Sequence, residues 1–139
     1  QQSSILDSFL SSIPESKADY AYAEGKWTVK QLLQHMIDAE RIFTHRALWF
    51  ARRSPAPLSG FDENEYADVA DVSKRSVASL ADELRAVRKS SELLFNSFTD
   101  KDLNTSGTAN THAITVNALG FVTLGHFLHH KRILEERYL

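Results

Sequence analysis

The sequence contains no cysteine. A disulfide framework, a thiolate zinc site and a cysteine nucleophile are therefore excluded for this chain. Any metal has to be held by His, Asp or Glu, and any thiol chemistry has to use a thiol brought in from outside. Long apolar runs are missing too. None approaches the ~18 residues of a membrane span, so no membrane association is expected. The first residues, QQSSILDSF, have no basic region leading into an apolar stretch, which predicts no signal peptide; the missing starting Met leads us to expect a processed or trimmed version of something longer. A basic excess is absent as well. Sixteen Lys and Arg against 18 Asp and Glu leave a net charge of −2, with no basic stripe to track phosphates. Nucleic acid is excluded as an expected partner, and a cytoplasmic location is the expectation.

The 139 residues are 42% hydrophobic and 24% charged, the balance of a globular chain. That length predicts one domain, 1–139, whose folding removes roughly two-thirds of the chain's surface from water. Glycine and proline are scarce, five and three, and there is no sustained alternation of apolar and polar residues. Strands are not expected. Four helical segments are.

The first runs from about Ser3 to Ile13, where Pro14 stops it. The second starts at WTVKQL, with Thr28 as N-cap, Gln31 as its capping-box partner, and Trp27 and Leu32 as a hydrophobic staple. It continues to about Arg53, where SPAPLSG ends it. The third spans about Ser76 to Phe98, with Val77, Leu80, Leu84, Val87, Leu94 and Phe98 near a heptad seam that only Ser91 interrupts. Asp82, Glu83, Arg85, Arg88 and Lys89 read as its solvated face. The fourth runs from about Thr115 to Tyr138. Two long connections, 54–75 and 99–114, remain, of the kind that form crossovers or site loops. The expected architecture is an all-α four-helix bundle with a long crossover between helices 2 and 3.

Three of the six histidines fall in GHFLHH, residues 125–130. At about 100° per residue, Leu119, Val122, His126, His130 and Ile133 lie within roughly 40° of one line, expected to face the interior, while His129 is off it by about 60°. An i, i+4 pair of histidines can place two imidazole nitrogens on one ion. Buried histidines can also be no more than hydrogen-bonded core residues, and spacing alone leaves both readings open. A third ligand is needed. His35, on the second helix, is the candidate, at the border of the stripe formed by Leu32, Met36, Phe43 and Phe50. Asp38, one turn on, could accept a hydrogen bond from its free nitrogen or bind the ion outright. His45 reads as structural or exposed, and His112 sits in a loop with no spacing argument behind it.

These residues carry a resemblance. KWTVKQLLQHMIDAERIFTHRAL, PLSGFDENEY, LRAVRKSSELL, GTAN and ITVNALGFVTLGHFLHHKRILEERYL, in this order, resemble the small single-domain branch of the DinB/YfiT-like superfamily, from about Lys17 onward. The first helix is shorter than the family's. The resemblance implies a divalent cation held by His35, His126 and His130, with Zn, Ni or Fe as the metals to expect. It implies either a metal-dependent hydrolase or a transferase using a small thiol, acting on a small-molecule substrate. The alternative is a non-catalytic bundle that binds a small molecule or protein around a stabilising metal. Asp62 and Glu65 of GFDENEY, in the crossover, are candidates for a general base. A homodimer is expected from the family and from aromatic residues near Trp49 and Phe50 taken to be at the surface.

Overall fold

A computed structural model describes residues 2–139, with side chains from Ser3 onward. Its elements are α1 (Gln2–Ser11), α2 (Val29–Ala51), α3 (Glu63–Val69), α4 (Val77–Asn96), α5 (Asp100–Leu103), β1 (Ser106–Ala109), β2 (His112–Thr115) and α6 (Val116–Arg137). Helices α1, α2, α4 and α6 form the expected bundle. Helix α2 is central, packing on both α6 and α4.

The helix ends follow local chemistry. The Thr28 hydroxyl accepts from Gln31 N at 3.2 Å while the Gln31 side chain accepts from Thr28 N at 2.9 Å, which closes the capping box and satisfies two otherwise unpaired donors. Ser76 caps α4 by accepting from Ser79 N. There the Glu15 carboxylate, from the segment after α1, also accepts from Val77 N at 2.8 Å. That bond anchors the start of α4 to the linker. Helix α1 ends two residues before the expected Ile13, because the chain turns into a short 3-10 segment at Glu15–Lys17 after Pro14.

Both long connections contain structure. The crossover carries α3, and 99–114 carries α5 and an antiparallel hairpin with Ala109 opposite His112. The absence of strands expected from the sequence is thus corrected. Each strand has only four residues, too few to display an alternating pattern. The turn is made by Asn110 and Thr111 with φ of 49° and 65°, the left-handed pair that a two-residue hairpin loop needs. Leu58 bonds this hairpin from the crossover, donating to Thr108 O and accepting from Asn110 N, and so pins the start of the crossover. Gly107 faces the Phe50 ring so closely that a Cβ there would strike it.

Two apolar clusters fill the bundle. One gathers Leu6, Phe9, Leu33, Ile37, Leu80, Leu84, Phe127 and Leu134; the other gathers Ala47, Phe50, Phe98, Val116 and Leu119. Between them along α2, α4 and α6 lie the buried polar residues Glu40, Arg88, Ser91 and Thr123. Arg88 was expected on the solvated face of its helix but is 3% exposed, as is Glu40. Its guanidinium meets the Glu40 carboxylate through Nη2 at 2.8 Å and Nε at 2.9 Å, and Ser91 Oγ donates to the same carboxylate at 3.1 Å. This pairing explains the polar interruption in the α4 seam. The aromatic residues near the end of α2 are also more covered than expected: Phe50 is 2% exposed, and Trp49 is half-buried and donates to Ala56 O.

Removing one member of the buried pair strands the other in a low-dielectric interior. Arg88→Met should destabilise the protein by about 3–5 kcal/mol, and the double change Glu40→Leu with Arg88→Met should restore most of that loss. Urea denaturation followed by circular dichroism checks both, and an additive double variant would contradict the pairing.

Candidate metal centre

Three helical turns supply the site. His35 is in the first half of α2, two turns past the Thr28 cap, and is 5% exposed. His126 and His130 are one turn apart on α6 and half-buried. The buried line of α6 is not the one expected. Val116, Leu119, Thr123, Phe127 and Leu134 face the interior, and Val122 is 39% exposed. Thr123 takes the place expected for Val122 because its hydroxyl donates to Leu119 O at 2.8 Å, which leaves no unsatisfied polar atom to bury. The two histidines therefore flank the buried line, His130 by roughly 40° and His126 by roughly 80°. From that flank they turn toward α2.

There the three Nε2 atoms converge. His35 Nε2 is 3.0 Å from His126 Nε2, and His130 Nε2 is 3.1 Å from His126 Nε2. One ligand atom from each residue lies within 4.8 Å of the other two. The Trp27 ring stands 4.8 Å from the His35 ring and the Phe43 ring 5.4 Å from the His126 ring, which shields the cluster on two sides.

All three imidazoles are held toward the neutral form. Burial pushes the His126 pKa down to about 4, and repulsion from His35 and His129 adds to it. Burial also pushes His130 down to about 3, with His126, His35 and His129 adding repulsion. His130 Nδ1 is buried without a hydrogen-bond partner among the described residues, so a protonated ring there would leave a charged donor unsatisfied. Burial lowers the His35 pKa as well, against the opposing pull of Glu63 and Asp38.

Neutral imidazoles satisfy one another only in part here, because His126 Nε2 can make a full hydrogen bond with one of His35 Nε2 and His130 Nε2 but not both. With the proton of each ring on Nδ1, the three Nε2 lone pairs would be available to a cation, which imidazole nitrogen binds at about 2.0–2.1 Å. The donor set fits a divalent transition metal.

The remaining candidates are placed apart from this convergence. Asp38 accepts from Gln34 Nε2 at 2.9 Å and acts on His35 only through space. Asp62 is the N-cap of α3, its carboxylate accepting from Asn64 N and Glu65 N. Glu65 is exposed. The acidic residue of the crossover that does reach the cluster is Glu63, with Oε2 3.9 Å from His35 Nε2. Sequence reasoning missed it. Its signal was available, because Asp62 is a recognisable cap and the residue after a cap starts the helix. His45 is exposed beside Trp49, His112 is exposed in the hairpin with Nδ1 2.6 Å from Asn110 O, and His129 is exposed on the outer flank of α6.

A four-helix bundle with a crossover after its second long helix and a three-imidazole cluster between two helices defines a recognisable class. The family model of the DinB superfamily matches residues 1–134, and the chain belongs to that family. Among solved structures, it is similar to YfiT from Bacillus subtilis, described as a probable metal-dependent hydrolase with an unusual four-helix bundle topology. Identity is 20%, the TM-score is 0.78, and the match covers 96% of this chain and 78% of that one. A mycothiol-dependent maleylpyruvate isomerase is similar at 14% identity and a TM-score of 0.72, covering 93% of this chain and 55% of the isomerase. A DinB-like protein, YjoA, from Bacillus subtilis aligns at 14% identity and a TM-score of 0.63 over 96% of this chain and 81% of that one. No curated protein matches the chain. Among the described residues, no helix is long and apolar enough to cross a membrane.

The lowered imidazole pKa values fix the sign of a pH effect. In the unfolded chain these groups take up protons below about 6.5, before the folded chain does. Their contribution to stability is therefore complete above that pH and is lost as pH falls toward the folded values of about 4 and about 3. The melting temperature of metal-free protein should drop more steeply between pH 7 and pH 4 than that of a His126→Ala, His130→Ala variant. Parallel slopes in differential scanning fluorimetry would contradict this.

Proposed function

We propose that this protein is a metal-dependent enzyme in which the Nε2 atoms of His35, His126 and His130 hold one divalent transition-metal ion, Zn, Ni or Fe. The observation that carries the reading is the convergence of three neutral imidazole nitrogens within 4.8 Å of one another. An ion held by these residues would supply Lewis acidity toward a substrate oxygen, water or a thiol from solution.

The residues of the chain set the conditions for that chemistry. Three protein nitrogens leave coordination positions free, the pattern of a catalytic site and not of a closed structural one. Burial keeps the three imidazoles unprotonated, so protons do not compete for the lone pairs in the neutral range. The Trp27 and Phe43 rings limit water on two sides, which strengthens electrostatic interactions in the site. Hydrolysis of a small-molecule substrate is the reaction favoured, in line with the description of YfiT. Transfer of a small exogenous thiol is the second reading. The similarity in fold to the mycothiol-dependent isomerase favours it, and a chain without any thiol of its own is compatible with it but does not select it.

A homodimer belongs to the same proposal. Its support is an apolar stripe on the outside of α6, where Phe121 is 70% and Leu128 44% exposed, one heptad apart on one face. Light scattering at micromolar concentration should give twice the monomer mass. A monomeric mass would count against it.

Elemental analysis of protein purified without a histidine tag should find close to one equivalent of a transition metal per chain, or uptake of one on addition. Replacing His35, His126 and His130 together by Ala should abolish uptake, while His45→Ala and His129→Ala should leave it intact. Wild-type protein with no metal and no uptake would sink the reading. Turnover in ester-hydrolysis and thiol-transfer screens then separates the two reactions, and metal-dependent thermal stability without turnover in either would identify a non-catalytic binding bundle.

A further inference from the structure

We infer that Glu63, on the crossover helix α3, is a fourth protein contact for the ion, so that ion binding stabilises the docked crossover. This rests on the metal-binding reading of the three histidines.

Glu63 Oε2 lies 3.9 Å from His35 Nε2, the same nitrogen that faces His126. Its position follows from the chain around it. Leu58 ties the start of the crossover to the hairpin, and Asp62 caps α3 through Asn64 N and Glu65 N. Glu63 is therefore the first residue of a helix that packs on α2 beside His35. The carboxylate has no other hydrogen-bond or ion-pair partner among the described residues, and its side chain is 57% exposed while that of His35 is 3% exposed. A neutral imidazole offers such a carboxylate little. An ion bound to the imidazole offers it a great deal.

The charge balance points the same way. Three neutral imidazoles carry none of the charge needed to offset a divalent cation, and placing that charge in a largely buried cluster is costly. A carboxylate oxygen binds such an ion at about 2.0–2.2 Å. Glu63 is exposed, without other partners among the described residues, and already next to the cluster. The positions left beyond four protein contacts still admit a substrate oxygen on a five- or six-coordinate ion. Because Glu63 belongs to the crossover, a contact made only with the ion present stabilises the docked α3 by linkage.

The test compares wild type with Glu63→Gln and with Glu65→Gln, an exposed residue of the same helix whose change removes the same charge. Zn2+ and Ni2+ affinities are measured by competition with a chromophoric chelator. Amide hydrogen exchange across residues 61–70 is followed with and without Zn2+. Glu63→Gln should weaken Zn2+ binding by about tenfold or more, on the scale seen when support for a metal site is removed, and Glu65→Gln should stay within about twofold of wild type. Zn2+ should slow exchange in α3 of wild type and not of Glu63→Gln, while the metal-free melting temperatures of all three agree. Equal affinity of Glu63→Gln and wild type overturns this inference alone. So does an equal loss in Glu65→Gln, which would make the effect one of long-range charge. Wild-type protein that takes up no cation overturns the metal reading and this inference together.

Discussion

The buried pair of Glu40 and Arg88 keys three helices to one another. The carboxylate comes from α2 and the guanidinium from α4, joined at 2.8 Å with both side chains 4% exposed. The same guanidinium lies 5.0 Å from the centre of the Phe127 ring on α6. An ion pair of this kind tolerates neither a slip along a helix axis nor a rotation about it, since either would leave a charge unpaired away from water. Phe127 is the neighbour of His126. Once Arg88 fixes where Phe127 packs, the directions of His126 and His130 follow from the helix geometry, and both face α2. The imidazole cluster needs register to well under an ångström, and the polar layer is where that register is imposed.

The layer also explains why the core is divided. Along α2 the buried residues run from Val29 to Ile37, then Glu40, then Ala47 to Ala51; along α6 they run from Val116 and Leu119 through Thr123 to Phe127 and Leu134. A bundle with apolar residues at all these places would be free to shift by a turn and still bury the same area. The polar residues oppose such a shift, at a cost in desolvation that the hydrogen bonds among Glu40, Arg88 and Ser91 offset in part, since Arg88 Nη1 is buried without a partner among the described residues.

The architecture was legible in the sequence because helical periodicity, the Thr28 capping box and the few Gly and Pro residues all agree on four long helices. That His126 and His130 share one face was legible for the same reason, but i, i+4 spacing alone left open whether they bind an ion or are hydrogen-bonded core residues. What periodicity misread were residues whose burial depends on a partner elsewhere in the chain. Arg88 looks like surface until Glu40 is opposite it, 48 positions away. Thr123 looks polar until its hydroxyl folds back on Leu119 O, and so the buried line of α6 was drawn through Val122. His35 looked borderline and is buried, because Trp27 from outside the helix covers it. The hairpin was illegible for another reason: its strands are four residues long and are held by the Asn110–Thr111 turn and by Leu58, not by a pattern of their own.

The candidate metal centre is accordingly built by two parts of the chain under different constraints. The three histidines stand on the long helices of the bundle, where their positions are tied to the polar layer and to the two apolar clusters. Trp27 and Glu63 come from segments outside those helices, one just before the α2 cap and one from the crossover. A change in the first group disturbs packing that the whole bundle shares. A change at Glu63, with a side chain 57% exposed, disturbs almost nothing except the site. On the proposed reading, the donor set belongs to the bundle core, while the groups around it belong to the connections. A fold organised in this way can keep one donor set and alter the chemistry around it by changing the crossover.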